Sequence, residues 1–269
     1  MGTEAFAPEK SMMRMRRAVL VFWGLTISLL LTAPAFVVIA LSFTGKRSLK
    51  FPPDKWSLRW YREFFDNSEW GRSLAISLEL ALAVTVLATV MGVSLAFALD
   101  RKFIGRAFLW VIVLAPLAIP LIASAVGIYA VYIEWGLAGT FLGLMLSHTC
   151  LAIPLVTVTV FSGLVGLDRQ ILLAATSLGA TPWRVFRQVT LPILLPSVAG
   201  GAVLAFATSF DELVISLLLQ NSDVRPLPVV MFSSLSFNID PTVAVASTFT
   251  MVITISAALT VVLARKATR

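Results

Sequence analysis

The stretch Leu172–Pro196, LLAATSLGATPWRVFRQVTLPILLP, decides how the rest of the chain is read. It carries Arg184 and Arg187, a Gly179-Ala180-Thr181-Pro182 turn signal and two amphipathic halves, with long apolar runs on either side. Asp168 is placed to cap a first helix, and Ile171, Leu172, Ala175 and Leu178 give that helix an apolar stripe. Gly179 is placed to end it in a left-handed conformation. Thr181 then caps a second helix with Pro182 at its first position, where a missing N–H is harmless. Trp183, Phe186 and Val189 recur every third residue, with Arg184, Arg187 and Gln188 on other faces. The segment 168–190 is therefore a helix-turn-helix elbow, too polar to cross a bilayer. Two uses are open to it. It can lie on lipid with its arginines among headgroups, or protrude and dock into a partner's groove with Trp183 and Phe186 as anchors.

The surroundings are those of a membrane protein. Of 269 residues 58% are hydrophobic and only 13% charged, and mean hydropathy is +0.92; soluble domains average about 45–50% apolar. The charges are bunched, leaving runs of the ~20 apolar residues that a bilayer span needs. Six spans follow, at 18–42, 73–99, 107–133, 141–166, 191–219 and 242–264. Helices are the default for them, because every backbone polar group must be satisfied inside the protein. The expected fold is an all-α integral membrane protein with six transmembrane helices. It divides into a tail (1–17), a first span (18–42), a loop (43–72), a core (73–264) containing the elbow, and a second tail (265–269). The first apolar run has a cationic leader, but it outlasts the 7–15 residues of a signal h-region. It is read as a retained span.

Thirteen of the 21 Lys and Arg fall on the side that holds both termini and the elbow, and eight on the other, seven of them in loop 43–72. The positive-inside rule then puts both termini and the elbow in the cytoplasm. Loop 43–72 also carries Trp56, Trp60, Tyr61 and Trp70 and reads as a folded external cap. The net charge of +7 flanks membrane spans and forms no separate basic domain, so the lipid bilayer is a partner and nucleic acid is not. Cys150 is the sole cysteine, which excludes a disulfide framework and a Cys-based metal site. His148 is the sole histidine and reads as a packing or hydrogen-bonding residue. No Gly-x-x-x-x-Gly-Lys-Ser/Thr loop is present to cradle a nucleotide, so the chain is not an enzyme by itself.

Ala174-Ala175-Thr176-Ser177-Leu178-Gly179-Ala180, followed by Phe186 and Leu191-Pro192, resembles the Glu-Ala-Ala loop of membrane permease subunits in type I ABC importers. The Gly92…Ala96…Arg101 ending of span two matches the same family, and the likeness covers residues 70–262. WSLRWYREFF in the first loop and SFDELVISLLL in span five look most like the second permease of spermidine/putrescine-type systems. The resemblance implies that the elbow is a coupling helix seated in a cleft of an ATP-hydrolysing subunit, through Ala174, Ala175, Leu178, Gly179 and Ala180. Thr181, Pro182, Trp183, Arg184, Phe186 and Arg187 complete that contact. It further implies two ATP-binding subunits that hold ATP and magnesium, with no cofactor on this chain. A second, homologous permease, an extracytoplasmic solute-binding protein and a bacterial inner membrane location are implied too. One position departs from the motif: Leu173 stands where the family has glutamate, which favours an asymmetric pair in which the other permease supplies the acid.

Carboxylates inside a membrane mark paths and partners. Asp211 and Glu212 in span five and Glu79 in span two stand at a similar depth from the outer end. Neighbouring helical residues point ~100° apart, so Asp211 and Glu212 are not expected to do one job. Phe210 and Tyr129 are candidates for cation–π contacts beside them. An acidic vestibule suits a small polar cation such as a polyamine. Local alternatives are an Arg72–Glu79 pair or side chains that snorkel outward. Gly139-x-x-x-Gly143 suggests close helix packing, and Gly200-Gly201 with Pro192 and Pro196 suggests a deformable span five. Two rival functions remain open, a carrier driven by an ion gradient and a membrane scaffold whose elbow recruits a soluble protein.

Overall fold

Apolar runs punctuated by glycine, proline and capping residues give helices almost throughout. The computed structural model describes residues 7–237 and 240–267. Its helices are α1 (Ala7–Ser42), α2 (Arg59–Asp66), α3 (Ser68–Asp100), α4 (Arg106–Ala118), α5 (Leu121–Glu134) and α6 (Phe141–Val165). There follow α7 (Arg169–Ser177), α8 (Pro182–Val185), a π-turn (Phe186–Thr190), α9 (Leu191–Phe210), α10 (Val214–Leu219), α11 (Leu227–Phe237) and α12 (Thr242–Ala267). Caps set the starts of α3 and α6: Asn67 accepts from the Glu69 amide at 2.9 Å, and Thr140 from the Gly143 amide at 3.0 Å. Among the described residues the only β feature is a bridge between Thr44 and Trp56.

Among the described residues five helices are long and apolar enough to cross a membrane, or six if the bent pair α4–α5 counts as one span. That bend corrects the expectation of one continuous span at 107–133. The two halves meet at 102°. Ile119, driven from helical geometry by the proline after it, is extended at φ −83°, ψ 133°, and Pro120 brings no N–H to continue the ladder. Span five is also displaced. The apolar helix runs continuously from Pro182 through the π-turn to Phe210, stops at Asp211–Leu213, and resumes as the separate α10. Residues 7–17 and 265–267, expected in the two tails, are helical and continuous with α1 and α12, and residues 1–6 and 268–269 lie outside the described set.

The core is α3, α6 and α9 packed on one another, with Leu80, Val84, Ala88, Leu144, Val156, Val160 and Leu194 buried between them. Two glycines make the approach possible. A Cβ on Gly92 would stand 2.6 Å from Val156 Cβ, and one on Gly201 3.2 Å from Val156 Cα. In an apolar solvent, contact this close supplies the dispersion and packing that hold helices together. Gly201 is therefore a packing residue within an unbroken α9, and the interruption falls beyond it at 211–213. The Gly139/Gly143 pair serves a turn. Gly139 has φ +76° ahead of α6, and a Cβ on Gly143 would meet the Leu137 carbonyl at 2.2 Å.

Loop 43–67 folds onto the bundle end where α3 begins. Trp60, Phe64 and Trp70 are buried with Leu227, Val230 and Val243, and Phe64 stacks on Phe249 at 5.1 Å. At the opposite end stand the elbow and the turn 101–105. Helix α1 packs on α12; Ala35 and residues 37–41 are half-buried and Ser42 is buried, while residues 15–34 are left exposed.

Candidate functional site

The elbow forms from the local signals in its sequence. Asp168 caps α7, its carboxylate accepting from the Gln170 amide at 2.9 Å. Gly179 turns the chain at φ +81°, and Pro182 opens α8; Thr181 precedes it in extended backbone, but the expected side-chain cap is not made. Leu172, Ala175 and Ala180 are half-buried, but Ala174 is exposed and Leu178 is 89% exposed, Trp183 67% and Leu173 65%. Arg184 and Arg187 are exposed too. Trp183 stacks on Phe186 at 5.4 Å, and Phe186 meets the Phe97 ring edge-on at 5.4 Å. Arg169 donates to the Asp100 carboxylate at 2.5 Å; this hydrogen bond keeps the Arg169 pKa above its ordinary value. The segment thus presents apolar side chains that nothing else in the chain covers.

A second site lies where α9 breaks. Glu212 is only 6% exposed, and its carboxylate is used up locally. Oε1 accepts from the Ile215 amide at 2.8 Å and Oε2 from the Ser216 amide at 2.9 Å, so it caps α10. Oε2 also lies 3.2 Å from His148 Nε2. A carboxylate can only accept, so Nε2 carries the shared proton, with the Ser216 hydroxyl 3.1 Å away. Nδ1 pairs with Ser209 at 3.0 Å. All four side chains are buried. Sequence reasoning assigned His148 to packing or hydrogen bonding without a partner; a signal was available in the coincidence of one imidazole and one carboxylate in neighbouring apolar runs.

Asp211, one residue earlier, is exposed. It lines an open cleft of about 380 Å³ together with Val38, Ala207, Met231, Ser247, Thr250, Met251, Thr254 and Ile255. The hydroxyls of Ser247 and Thr250 donate backwards to the Val243 and Ala246 carbonyls, at 2.9 and 3.0 Å. They turn lone pairs, not protons, to the cleft. Its polar lining is the Asp211 carboxylate, these two acceptor-oriented hydroxyls and the Thr254 hydroxyl, set among aliphatic and thioether groups.

The other expected path residues do not meet at that cleft. Phe210 is buried against Phe206, ring centroids 5.3 Å apart, and Tyr129 stands exposed on α5. Glu79 is exposed on the face of α3 opposite the buried Ser77, Leu80, Ala81 and Val84. It does not pair with Arg72, whose guanidinium donates to the Asp223 carbonyl at 3.1 Å. At ~1.5 Å per residue Glu79 lies about 30 Å along the helix from Asp100, which sets it at the rim of a ~30 Å apolar layer.

Residues 85–269 match the family described as the binding-protein-dependent transport system inner membrane component. The chain belongs to this family. Among its relatives, a spermidine/putrescine transport system permease, PotC of Haemophilus influenzae, is 31% identical over 225 residues, 83% of this chain and 87% of that protein. The putrescine transport system permease PotI of Escherichia coli is 29% identical over 238 residues, 84% of each chain. A chain of the bacterial ABC transporter that imports the acidic polysaccharide alginate superposes with a TM-score of 0.70 at 15% identity, covering 96% of this chain and 98% of that one. At that identity the likeness is one of fold alone. The chain is a multi-pass inner-membrane permease, the translocation subunit of a binding-protein-dependent importer, and not an enzyme.

Proposed function

We propose that this permease passes a small polar cation of the polyamine class, and that Asp211 is its recognition group. The observation that carries the reading is the cleft lining. An alkylammonium brings only N–H donors on an aliphatic chain, and the cleft offers a carboxylate, acceptor-oriented hydroxyls and apolar walls. The permeases PotC and PotI, named for spermidine and putrescine, support the same class. Glu79, on the outward face of α3, serves the path from the side of a second permease.

The chain acts with a homologous permease, two ATP-binding subunits that carry ATP and magnesium, and an extracytoplasmic solute-binding protein. Both termini and the elbow are cytoplasmic. The exposed Leu178 and Trp183 seat in the ATPase cleft with Arg184 and Arg187 at its rim, and nucleotide-driven closure reaches the spans through residues 168–190. Asp211→Asn tests the substrate assignment: uptake of a radiolabelled polyamine into vesicles falls at least roughly tenfold while the complex still assembles. Unchanged uptake removes Asp211 from the path.

A further inference from the structure

Helix α3 carries polar contacts at both of its ends, and together they mark it as a connecting rod. It runs 33 residues without a proline, about 50 Å at ~1.5 Å per residue. At its start, Glu69 accepts from Arg225 at 2.5 Å and Arg72 donates to the Asp223 carbonyl. The buried Ser77 hydroxyl accepts from the Leu227 amide at 2.7 Å. These three contacts hold the loop that joins α10 to α11. Arg225 also donates to Ser233 on α11 at 2.8 Å. At the other end, Asp100 accepts from Arg169 at the first residue of α7, and Phe97 meets Phe186. Helix α7 otherwise packs only on α8 and the π-turn among its substantial contacts. Its ion-pair tie to α3 is Arg169–Asp100.

We infer that Asp100 and Arg169 are positioning residues of the transport cycle, the joint by which the elbow moves α3 and, through α3, the loop that leads into α11, whose Met231 lines the Asp211 cleft. The inference rests on the importer reading above. The pair is solvent-accessible, Arg169 more than Asp100, so its contribution to stability is small. Its value lies in fixing one geometry between two elements. Leu173 supplies no charge to the elbow, and Arg169–Asp100 is the only ion pair between the elbow and the rest of the chain among the described residues.

The test uses the complete transporter, with both permeases, the ATPase subunits and the binding protein, in proteoliposomes. ATP hydrolysis and solute uptake are measured on the same vesicles for Asp100→Arg, Arg169→Asp and the two combined. Each single change lowers solute delivered per ATP by roughly threefold or more, and the exchanged pair restores it. A loss of assembly alone would lower hydrolysis and uptake together, leaving their ratio unmoved. An unchanged ratio in both single variants, or no recovery in the exchanged pair once assembled, overturns the inference. Absence of ATP-driven uptake in the wild-type vesicles overturns the importer reading with it.

Discussion

Replacing Glu212 by alanine isolates the energetics of the broken helix. The change strands the Ile215 and Ser216 amides, each of which now donates to the Glu212 carboxylate at under 3 Å, and it leaves His148 Nε2 without its carboxylate. A buried donor without a partner costs about 1–3 kcal/mol, and the change takes the carboxylate from three of them, two amides and the imidazole N–H, so the loss is about 3 kcal/mol or more. For a chain of this size each kcal/mol moves the melting temperature by about 2–4 °C. Glu212→Ala should then melt on the order of 10 °C below the wild type. Glu212→Gln keeps one acceptor and should fall between them. The neighbouring Asp211→Ala, whose side chain faces the open cleft, should stay within about 2 °C. The assay is fluorescence-detected size exclusion of the detergent-solubilised protein after a temperature series. If Glu212→Ala melts within about 2 °C of the wild type, the buried network does not hold the break and the reasoning fails.

Gly92→Ala forces a Cβ against Val156, and overpacking of this kind costs about 1–3 kcal/mol; the same assay should show a lower melting point, whereas Gly24→Ala, with nothing within 4 Å, should leave it unchanged. Changing Leu178 and Trp183 together to Asp removes exposed apolar surface and should leave the melting point alone while abolishing co-purification of the ATPase subunit; retention of that subunit refutes the docking surface. In the outer loop, the hydrogen bond and charge of Lys46 hold the Asp54 carboxyl below its ordinary 3.8. Its folded pKa is depressed, so its contribution is present above the ordinary value and lost as pH falls through the lowered one. Hydrogen exchange of residues 44–57 should thus be flat from pH 7 to about 5, after correction for intrinsic rates, and loosening near neutral pH would contradict it.

The Gly179 turn, the Asp168 cap and the Pro182 start all follow from neighbours in the chain, through backbone freedom, caps and apolar periodicity. These local rules were enough to set the elbow between long apolar runs, and the motif built on it led to the family. The bend at Ile119–Pro120 was also within reach, since a proline after a bulky residue breaks helical geometry, but an uninterrupted apolar run concealed it. Which acid faces where was not legible. Asp211 and Glu212 are adjacent and chemically alike. They part because His148 and the α10 amides capture one, and the partners of His148 lie 61 and 68 residues away. Glycine shows the same limit: Gly92 reads as part of a motif and Gly201 as a source of deformability until both are found against Val156 on α6. The burial of Phe210 against Phe206, and the Asp100–Arg169 joint across 69 residues, are likewise tertiary. Periodicity reports which face of a helix is apolar, but only the packed bundle decides which polar groups meet, because the cost of an unpaired group in apolar surroundings is settled between elements and not along them.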